Sequence, residues 1–311
     1  MKIVQINNLY KSFGDNIALN NLSLGIEEGE IFGLLGPNGA GKSTIINILS
    51  GLLKEDKGTI KLFDMEIKTH IKAIKQNMGI VPQDLAIFEE LTALENVSFF
   101  ASLYGIKSKD RKEKSMKALA FVGLEEKAKE GVKTFSGGMK RRLNIACAIA
   151  HTPKLIIMDE PTVGIDPQSR NHILNSIKEL NQKGATIIYT THYMEEAEVL
   201  CDRMAIIDKG YVIESGTTES LRDIISDKNI VFIGLRDISK VNPKALLNIK
   251  GVEDVCFKEN VLQVISKKEI ICLDKIIAYL AEAGASIMDV KTQIPNLEDV
   301  FLNLTGRSLR D

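Results

Sequence analysis

Up to about residue 215, short apolar runs alternate with stretches whose apolar residues recur every three or four positions, the pattern of strands buried on both faces between covering helices. Ile31–Leu35 (IFGLL) reads as one buried strand, residues 155–158 (LIIM) as a second and residues 185–189 (ATIIY) as a third. Each run ends in a loop of Gly, Pro, Asp, Thr or His residues. In open α/β sheets ligands gather at the carboxyl ends of strands, so chemistry is sought just after these runs. From about residue 85 to 129 the chain is rich in Ala, Leu, Glu and Lys with few β-branched runs. This predicts a mainly helical insert which, with the helix that follows Ser136, extends to about residue 150. After Gly216 the texture changes. Strands are expected at residues 230–235, 255–257, 261–265 and 286–294, helices near 243–249 and 271–283, and a last short helix at 297–304. That order, βαββαβ, is the one used by small ferredoxin-like α+β domains. The expected division is therefore residues 1–216 for an α/β body and 217–311 for an accessory domain.

Composition narrows the function. The chain carries 40 Lys+Arg against 41 Asp+Glu, so no overall basic field recruits nucleic acid or an anionic membrane. With 44% apolar and 26% charged residues, the composition speaks against long disorder, collagen-like repeats or a polar tail, and the chain is expected to fold throughout. Four cysteines lie far apart with no CxxC pair, which speaks against a zinc knuckle or a disulfide framework and for reduced thiols. The opening MKIVQINNLYKSF has no apolar signal core, and nowhere do about 18 apolar residues run together. If the protein works at a membrane, another chain is expected to cross it.

The strand Ile31–Leu35 runs directly into GPNGAGKST (residues 36–44) and then into the apolar-periodic IINILSGLL. Strand, glycine loop and helix together satisfy G-x-x-x-x-G-K-[ST] in the context of a phosphate-binding loop rather than an ordinary turn. A backbone that wraps a phosphate needs positive φ and close N–H groups, which a Cβ obstructs. Lys42 then supplies a point charge to β- and γ-phosphates, and Ser43 a hydroxyl ligand for Mg²⁺. The second strand ends LIIMDEP, so Asp159 and Glu160 stand just past four apolar residues. An acid there can hold Mg²⁺ through its water shell, and Glu160 can accept the proton of an attacking water. Alone, two adjacent carboxylates are as often solvated surface acids; the glycine loop upstream tips the reading to function. In TFSGGMKRRLNIACAIA, Ser136, Gly137 and Gly138 open a helix, which reads either as a plain N-cap or as a second anion site. A second site needs an explanation, since the first loop already holds the γ-phosphate.

Taken together these residues resemble the nucleotide-binding subunit of ABC transporters. GPNGAGKST stands as Walker A, Gln83 in IVPQ as the Q-loop, FSGGM as the family signature, LIIMDE as Walker B, Gly164-Ile165-Asp166 as the D-loop and His192 in YTTH as the H-loop. The resemblance implies a P-loop NTPase cassette with a RecA-like core, a β subdomain and a helical insert. It also implies that two cassettes pack head to tail, each ATP closed between the Walker A of one and the signature of the other, which explains the second anion site. On this resemblance Gly36, Pro37, Asn38, Gly39, Ala40, Gly41, Lys42, Ser43 and Thr44 cradle the phosphates. Ser43, Gln83 and Asp159 serve Mg²⁺, Gln83 also touches the attacking water, Glu160 is the base, and His192 senses the γ-phosphate and holds the closed geometry. Ser136, Gly137 and Gly138 reach the partner's nucleotide, and Asp166 couples the two sites. Phe13 in KSFG stands where the family stacks an aromatic ring on adenine, more often Tyr; it reads equally as a strand core residue.

Met139 departs from the commonest signature, which has Gln there. SGGM followed by basic residues, with FEELTALENVSFFASLYG and LEDVFLNLTGRSLRD, resembles the antibiotic- and multidrug-export branch of daunorubicin-resistance type. The implied activity is ATP hydrolysis that drives a separate membrane permease from the cytoplasmic side of the membrane, with a homodimer of cassettes as the default and no nucleic-acid partner. The alternative, a soluble cassette ATPase acting on DNA or ribosomes, needs long coiled-coil arms or a second cassette, and neither pattern is in the sequence. Lys140, Arg141 and Arg142 read as the solvated face of a helix or as groups near nucleotide or partner. Phe88, Leu91, Phe99, Phe100 and Tyr104 read as helical core or, on the resemblance, as part of a groove for a short helix of the permease. The accessory domain reads as a dimer- and permease-contacting platform rather than a ligand sensor, since no polar constellation in it outlines a pocket.

Overall fold

In β1 (Lys2–Phe13) several register shifts break the alternation of buried and exposed residues, whereas its partner β2 (Asn16–Glu27) alternates buried with less buried residues over most of its length, as a strand with one face on a core does. β3 (Ile31–Leu35) is buried at all five positions, and the glycine loop after it leads into α1 (Lys42–Leu49). β4 (Lys57–Leu62) and β5 (Met65–Glu66) follow, then α2 (Ile67–Gln76) and β6 (Met78–Val81). The helical insert comprises α3 (Ala93–Leu103), α4 (Ser108–Phe121) and α5 (Gly137–Ile149). The chain returns through β7 (Leu155–Asp159), α6 (Pro167–Gln182), β8 (Thr186–Thr191), α7 (Met194–Leu200), β9 (Arg203–Asp208) and β10 (Tyr211–Gly216). This computed structural model describes residues 1–225, 228–258, 260–267, 270–293, 297, 300, 301 and 304.

The chain divides into two units, one spanning Met1–Thr218 and the other beginning at Glu219. In the first, a six-stranded sheet runs β10-β9-β3-β8-β7-β6, parallel throughout except at its edge, where β10 pairs antiparallel with β9. A four-stranded antiparallel sheet, β2-β1-β4-β5, stands beside it. One apolar cluster joins the two sheets, with Val4, Leu9 and Ile26 of the antiparallel sheet in the same core as Leu34, Ile157 and Ile188 of the parallel one. The order of the parallel sheet matters for function: β3 and β7 flank β8, so the loops after all three open at one end.

Helix does not begin at residue 85. Buried Asn96 accepts from the Phe88 N–H (2.7 Å) and donates to the Phe88 (2.9 Å) and Thr92 (3.0 Å) carbonyls, pinning the stretch before α3 as a loop. Thr92 and Glu95 then form a capping box that starts α3.

α8 (Thr218–Ile225) starts at the boundary between the units, and the second unit continues with β11 (Lys228–Leu235), α9 (Pro243–Leu247), β12 (Val252–Lys258), β13 (Val261–Lys267), α10 (Leu273–Glu282) and β14 (Ile287–Gln293). The sheet order is β12-β13-β11-β14, all antiparallel. Val231, Ile233, Leu262 and Val264 face Ile276 and Leu280 of α10 across the unit's own core. α8 has no counterpart among the elements expected from sequence. Of the expected helix at 297–304, residues 298, 299, 302 and 303 lie outside the described residues, as does residue 294 of the last expected strand.

His151, just past α5, stacks on Tyr104 with ring centroids 3.5 Å apart while its Nε2 meets the Met78 carbonyl at 3.1 Å. Burial pushes its pKa down to about 4, against a weaker upward pull from that carbonyl. The unfolded chain takes up this proton near pH 6.5 and the folded chain only near 4. Stability from this group is therefore complete above about pH 6.5 and declines at up to ~1.4 kcal/mol per pH unit as pH falls towards 4. Urea midpoints between pH 7.5 and 4.5 should show this slope in wild type and a flatter one in His151→Asn.

Candidate nucleotide site

Four loops at the carboxyl ends of the parallel strands build the site. The first, after β3, is held open by glycine: a Cβ on Gly36 would stand 2.2 Å from the Ile207 carbonyl, and one on Gly41, at φ 110°, 2.8 Å from the Ala18 carbonyl. The neighbouring backbones of β9 and β2 leave room for nothing larger. Lys42, only 6% exposed, folds its ammonium into this loop and donates to the Gly36 (2.6 Å) and Pro37 (3.0 Å) carbonyls. Burial lowers its pKa, and the charges of Glu160 and Asp159 work against that shift, so the two acids act on the same cation. Ser43 is exposed on the first turn of α1 and Asn38 and Gly39 on the loop, whereas Pro37 and Ala40 are buried and Thr44 half-buried.

The second loop follows β7. Glu160 sits at φ +45°, a left-handed backbone that a non-glycine residue adopts at a cost of roughly 1–3 kcal/mol. Thr190 of β8 holds it there: the Glu160 N–H donates to Thr190 Oγ1 (2.9 Å), and that hydroxyl donates to Asp159 Oδ1 (2.7 Å). Burial raises the Asp159 pKa, the Thr190 hydrogen bond opposes the rise, and the Glu160 charge adds to it. The turn aims buried Glu160 at the remaining two loops. Its Oε2 lies 3.4 Å from Gln83 Nε2 after β6 and 3.4 Å from His192 Nδ1 after β8. That ring nitrogen is buried and makes no hydrogen bond among the described residues. A buried lysine in a ring of backbone groups, a carboxylate on a strained turn and an unsatisfied imidazole nitrogen form a constellation suited to a polyphosphate and an attacking water.

Lys42, Gln83, Asp159, Glu160 and His192 thus come together. Ser136, Gly137 and Gly138 group instead with Asp166. Ser136 caps α5, its Oγ accepting from the Met139 N–H at 3.3 Å. Asp166 caps α6 by accepting from the Ser169 N–H at 2.9 Å, a bond that holds its carboxyl below the usual range. The two helix starts abut, for a Cβ on Gly138 would stand 2.2 Å from Ser169 Oγ. Phe13 is 48% exposed at the end of β1 with Lys11 Nζ 5.4 Å from its ring centroid, so the core reading of this residue fails.

The solvated-face reading of the basic run also fails. Arg141 is 6% exposed and donates to the Pro82 (2.8 Å) and Gln83 (2.6 Å) carbonyls, tying α5 to the loop that carries Gln83. Arg142 donates to the Val122 and Gly123 carbonyls, and Lys140 pairs with Glu89 at 2.6 Å. Successive residues on a helix point about 100° apart, so three in a row cannot share one face, and that signal was available in the sequence. Arg141→Met keeps the packing and removes both donations; a loss of ~2 kcal/mol in urea unfolding is expected, with lower ATP turnover. Phe88 and Phe99 are 44% and 41% exposed and meet edge to face at 5.1 Å, with Phe100 5.5 Å from Phe99, so these rings cluster at the surface of the insert rather than in its core.

Residues 19–163 match the family model described as ABC transporter. The linearmycin resistance ATP-binding protein LnrL of Bacillus subtilis (strain 168) is 45% identical, the alignment covering 99% of this chain and 100% of that one. The chain belongs to the ATP-binding proteins of ABC transporters. A Nod factor export ATP-binding protein I from Bradyrhizobium diazoefficiens is 38% identical over 96% of this ABC protein and 95% of its own length. Among solved structures, the ATP-binding cassette MJ0796, a dimer in a post-hydrolysis state with ADP and Pi, superposes with a TM-score of 0.63 at 29% identity, covering 69% of this chain and 98% of that one. A nucleotide-free ATP-binding cassette gives a TM-score of 0.66 at 28% identity, covering 73% and 96%. This ABC protein is an ATP-binding subunit with ATPase activity, and the reading as a soluble ATPase acting on DNA or ribosomes is not favoured. Among the described residues no helix is long and apolar enough to cross a membrane.

Proposed function

We propose that this subunit powers export through a separate membrane permease, working at the cytoplasmic side of the membrane as one of two identical cassettes that close head to tail on two ATP molecules. The observation that carries the reading is the convergence on Glu160 Oε2, 3.4 Å from both Gln83 Nε2 and His192 Nδ1, beside the loop that buries Lys42. Relatives of almost the full length of this chain, named for linearmycin resistance and Nod factor export, support export as the direction of work.

In this reading Phe13 stacks on adenine, and the N–H groups of the 36–44 loop with Lys42 bind the phosphates. Glu160 takes the proton of the attacking water, Gln83 orients that water, and His192 Nδ1 finds its missing partner in a γ-phosphate oxygen. Mg²⁺ fits the donor set: this cation is commonly held by one or two carboxylates together with other hard oxygens, waters and phosphate oxygens, and the residues here offer one carboxylate, a hydroxyl and an amide oxygen. Ser43, Gln83 and Asp159 would hold it, and bound there it would neutralise charge building on the phosphates. Ser136, Gly137 and Gly138 complete the partner cassette's site, and Asp166 beside them couples the two. Nucleotide closes the pair because the γ-phosphate touches both chains; hydrolysis removes that differential affinity and the pair reopens. The exposed Phe88 and Phe99 cluster offers an apolar contact for a helix of the permease, and the second unit serves as a platform for dimer and permease. Light-scattering mass with and without ATP and Mg²⁺, on protein unable to hydrolyse, tests the pairing: a nucleotide-dependent doubling is expected, and a monomer at saturating ATP would overturn the homodimer.

A further inference from the structure

Glu196, on the first turn of α7, is 2% exposed and joins three segments that run to the nucleotide site. Its Oε2 accepts from Tyr189 Oη (2.5 Å), Thr162 Oγ1 (2.9 Å) and Thr191 Oγ1 (3.1 Å), and its Oε1 pairs with Arg170 Nε at 2.6 Å. A carboxylate this deep is costly unless its charge and lone pairs are met; here three hydroxyls donate to Oε2 and the Arg170 guanidinium meets the charge at Oε1, an atom with no hydrogen-bond partner among the described residues. The partners come from three segments of the chain, and each segment leads to a group of the site. Thr162 follows Glu160 by two residues, and Thr191 directly precedes His192. Arg170 is on the first turn of α6, the turn that Asp166 caps and that abuts Gly138. A second contact runs alongside, with Arg170 lying 5.0 Å over the Tyr193 ring, whose centroid is 4.2 Å from that of His192.

We propose that Glu196 and Arg170 are positioning residues that lock the start of α6, and the signature turn against it, to the turns carrying His192 and Glu160. The proposal rests on the reading of His192 and Glu160 as γ-phosphate groups. A buried network with charge at its centre has few alternative arrangements, so displacement of His192 is carried to Asp166 and Gly138 rather than absorbed in between. The link lies within one chain and joins the half of the site that holds ATP to the half that serves a partner.

The test uses full-length protein carrying Arg170→Met, Arg170→Lys, Glu196→Gln or the Glu196→Gln/Arg170→Met pair, with wild type and Glu160→Gln in the same assays. Steady-state ATPase against ATP concentration, equilibrium binding of a fluorescent ATP analogue and melting temperature are measured together. Arg170, with a side chain 31% exposed, can lose its charge without emptying the core, so its variants decide the matter even if Glu196→Gln fails to fold. Arg170→Met should lower kcat about tenfold. Its KM and analogue affinity should stay within about twofold of wild type. Arg170→Lys should recover at least half of the lost kcat, and the double variant should be no slower than Arg170→Met. A folded Arg170→Met with a lower melting temperature and unchanged kcat would overturn the proposal and make the pair a structural bolt. Full activity in Glu160→Gln would instead overturn the underlying reading of the site.

Discussion

Glu160→Gln is expected to lower steady-state ATP turnover by ~10²–10³-fold, the range a positioned general base supplies, while ATP still binds. The amide is nearly isosteric, and the bond that fixes the strained turn runs from the Glu160 backbone N–H to Thr190 Oγ1, so the backbone geometry survives. What disappears is the proton acceptor facing Gln83 and His192. With chemistry blocked, the nucleotide-closed pair should accumulate, and the same variant should double its light-scattering mass on adding ATP and Mg²⁺. Turnover within about fivefold of wild type would place the base elsewhere, with Asp159 the next carboxylate on the same turn.

Lys42→Ala is expected to act one step earlier and weaken nucleotide binding by ~10²-fold or more, in line with truncating one partner of a buried charged contact. The Lys42 ammonium is buried among loop carbonyls with no carboxylate in direct contact among the described residues, so it is held in place and able to meet an anion. Its removal leaves Asp159 and Glu160 without the opposing cation, and Asp159, already raised by burial, should rise further. Titration with a fluorescent ATP analogue should separate the two variants: affinity retained in Glu160→Gln, lost in Lys42→Ala. Loss of turnover in Lys42→Ala at full affinity would mean that this side chain acts only in the transition state.

The two units stand differently against known proteins. Solved cassettes match 69–73% of the chain, while sequence relatives align along 96–99% of it. The second unit is thus shared with the export and resistance proteins among those relatives, which suits the platform role proposed for it.

Much of the site was legible in the sequence because its parts are local. A glycine loop between an all-apolar strand and a helix start is one continuous instruction, and the carboxylates after LIIM or the Ser136 cap need only their immediate neighbours to be read. Such features depend on backbone φ, N–H supply and two-face burial, all set within a few residues. The resemblance to ABC cassettes then supplied roles that spacing alone could not give Gln83 or His192.

What only the tertiary structure decided is convergence. Gln83 and Glu160 are 77 positions apart and meet because β6 and β7 are neighbours in the sheet, while His192 arrives from β8 on the other side of β7. Sheet order is fixed by packing over the whole unit, so no local pattern announces it. The same holds for Arg141, whose burial follows from the docking of α5 on the Gln83 loop, and for Glu196, which no local pattern in MEEAEVL marks as buried. Phe13 went the opposite way, from a candidate strand core to an exposed ring, because β1 ends beyond the reach of the shared core. Sequence by itself determined which groups are present and how each is locally held; the sheet decided which of them share a site, since long-range contacts are chosen by the packing of the whole rather than by any one segment.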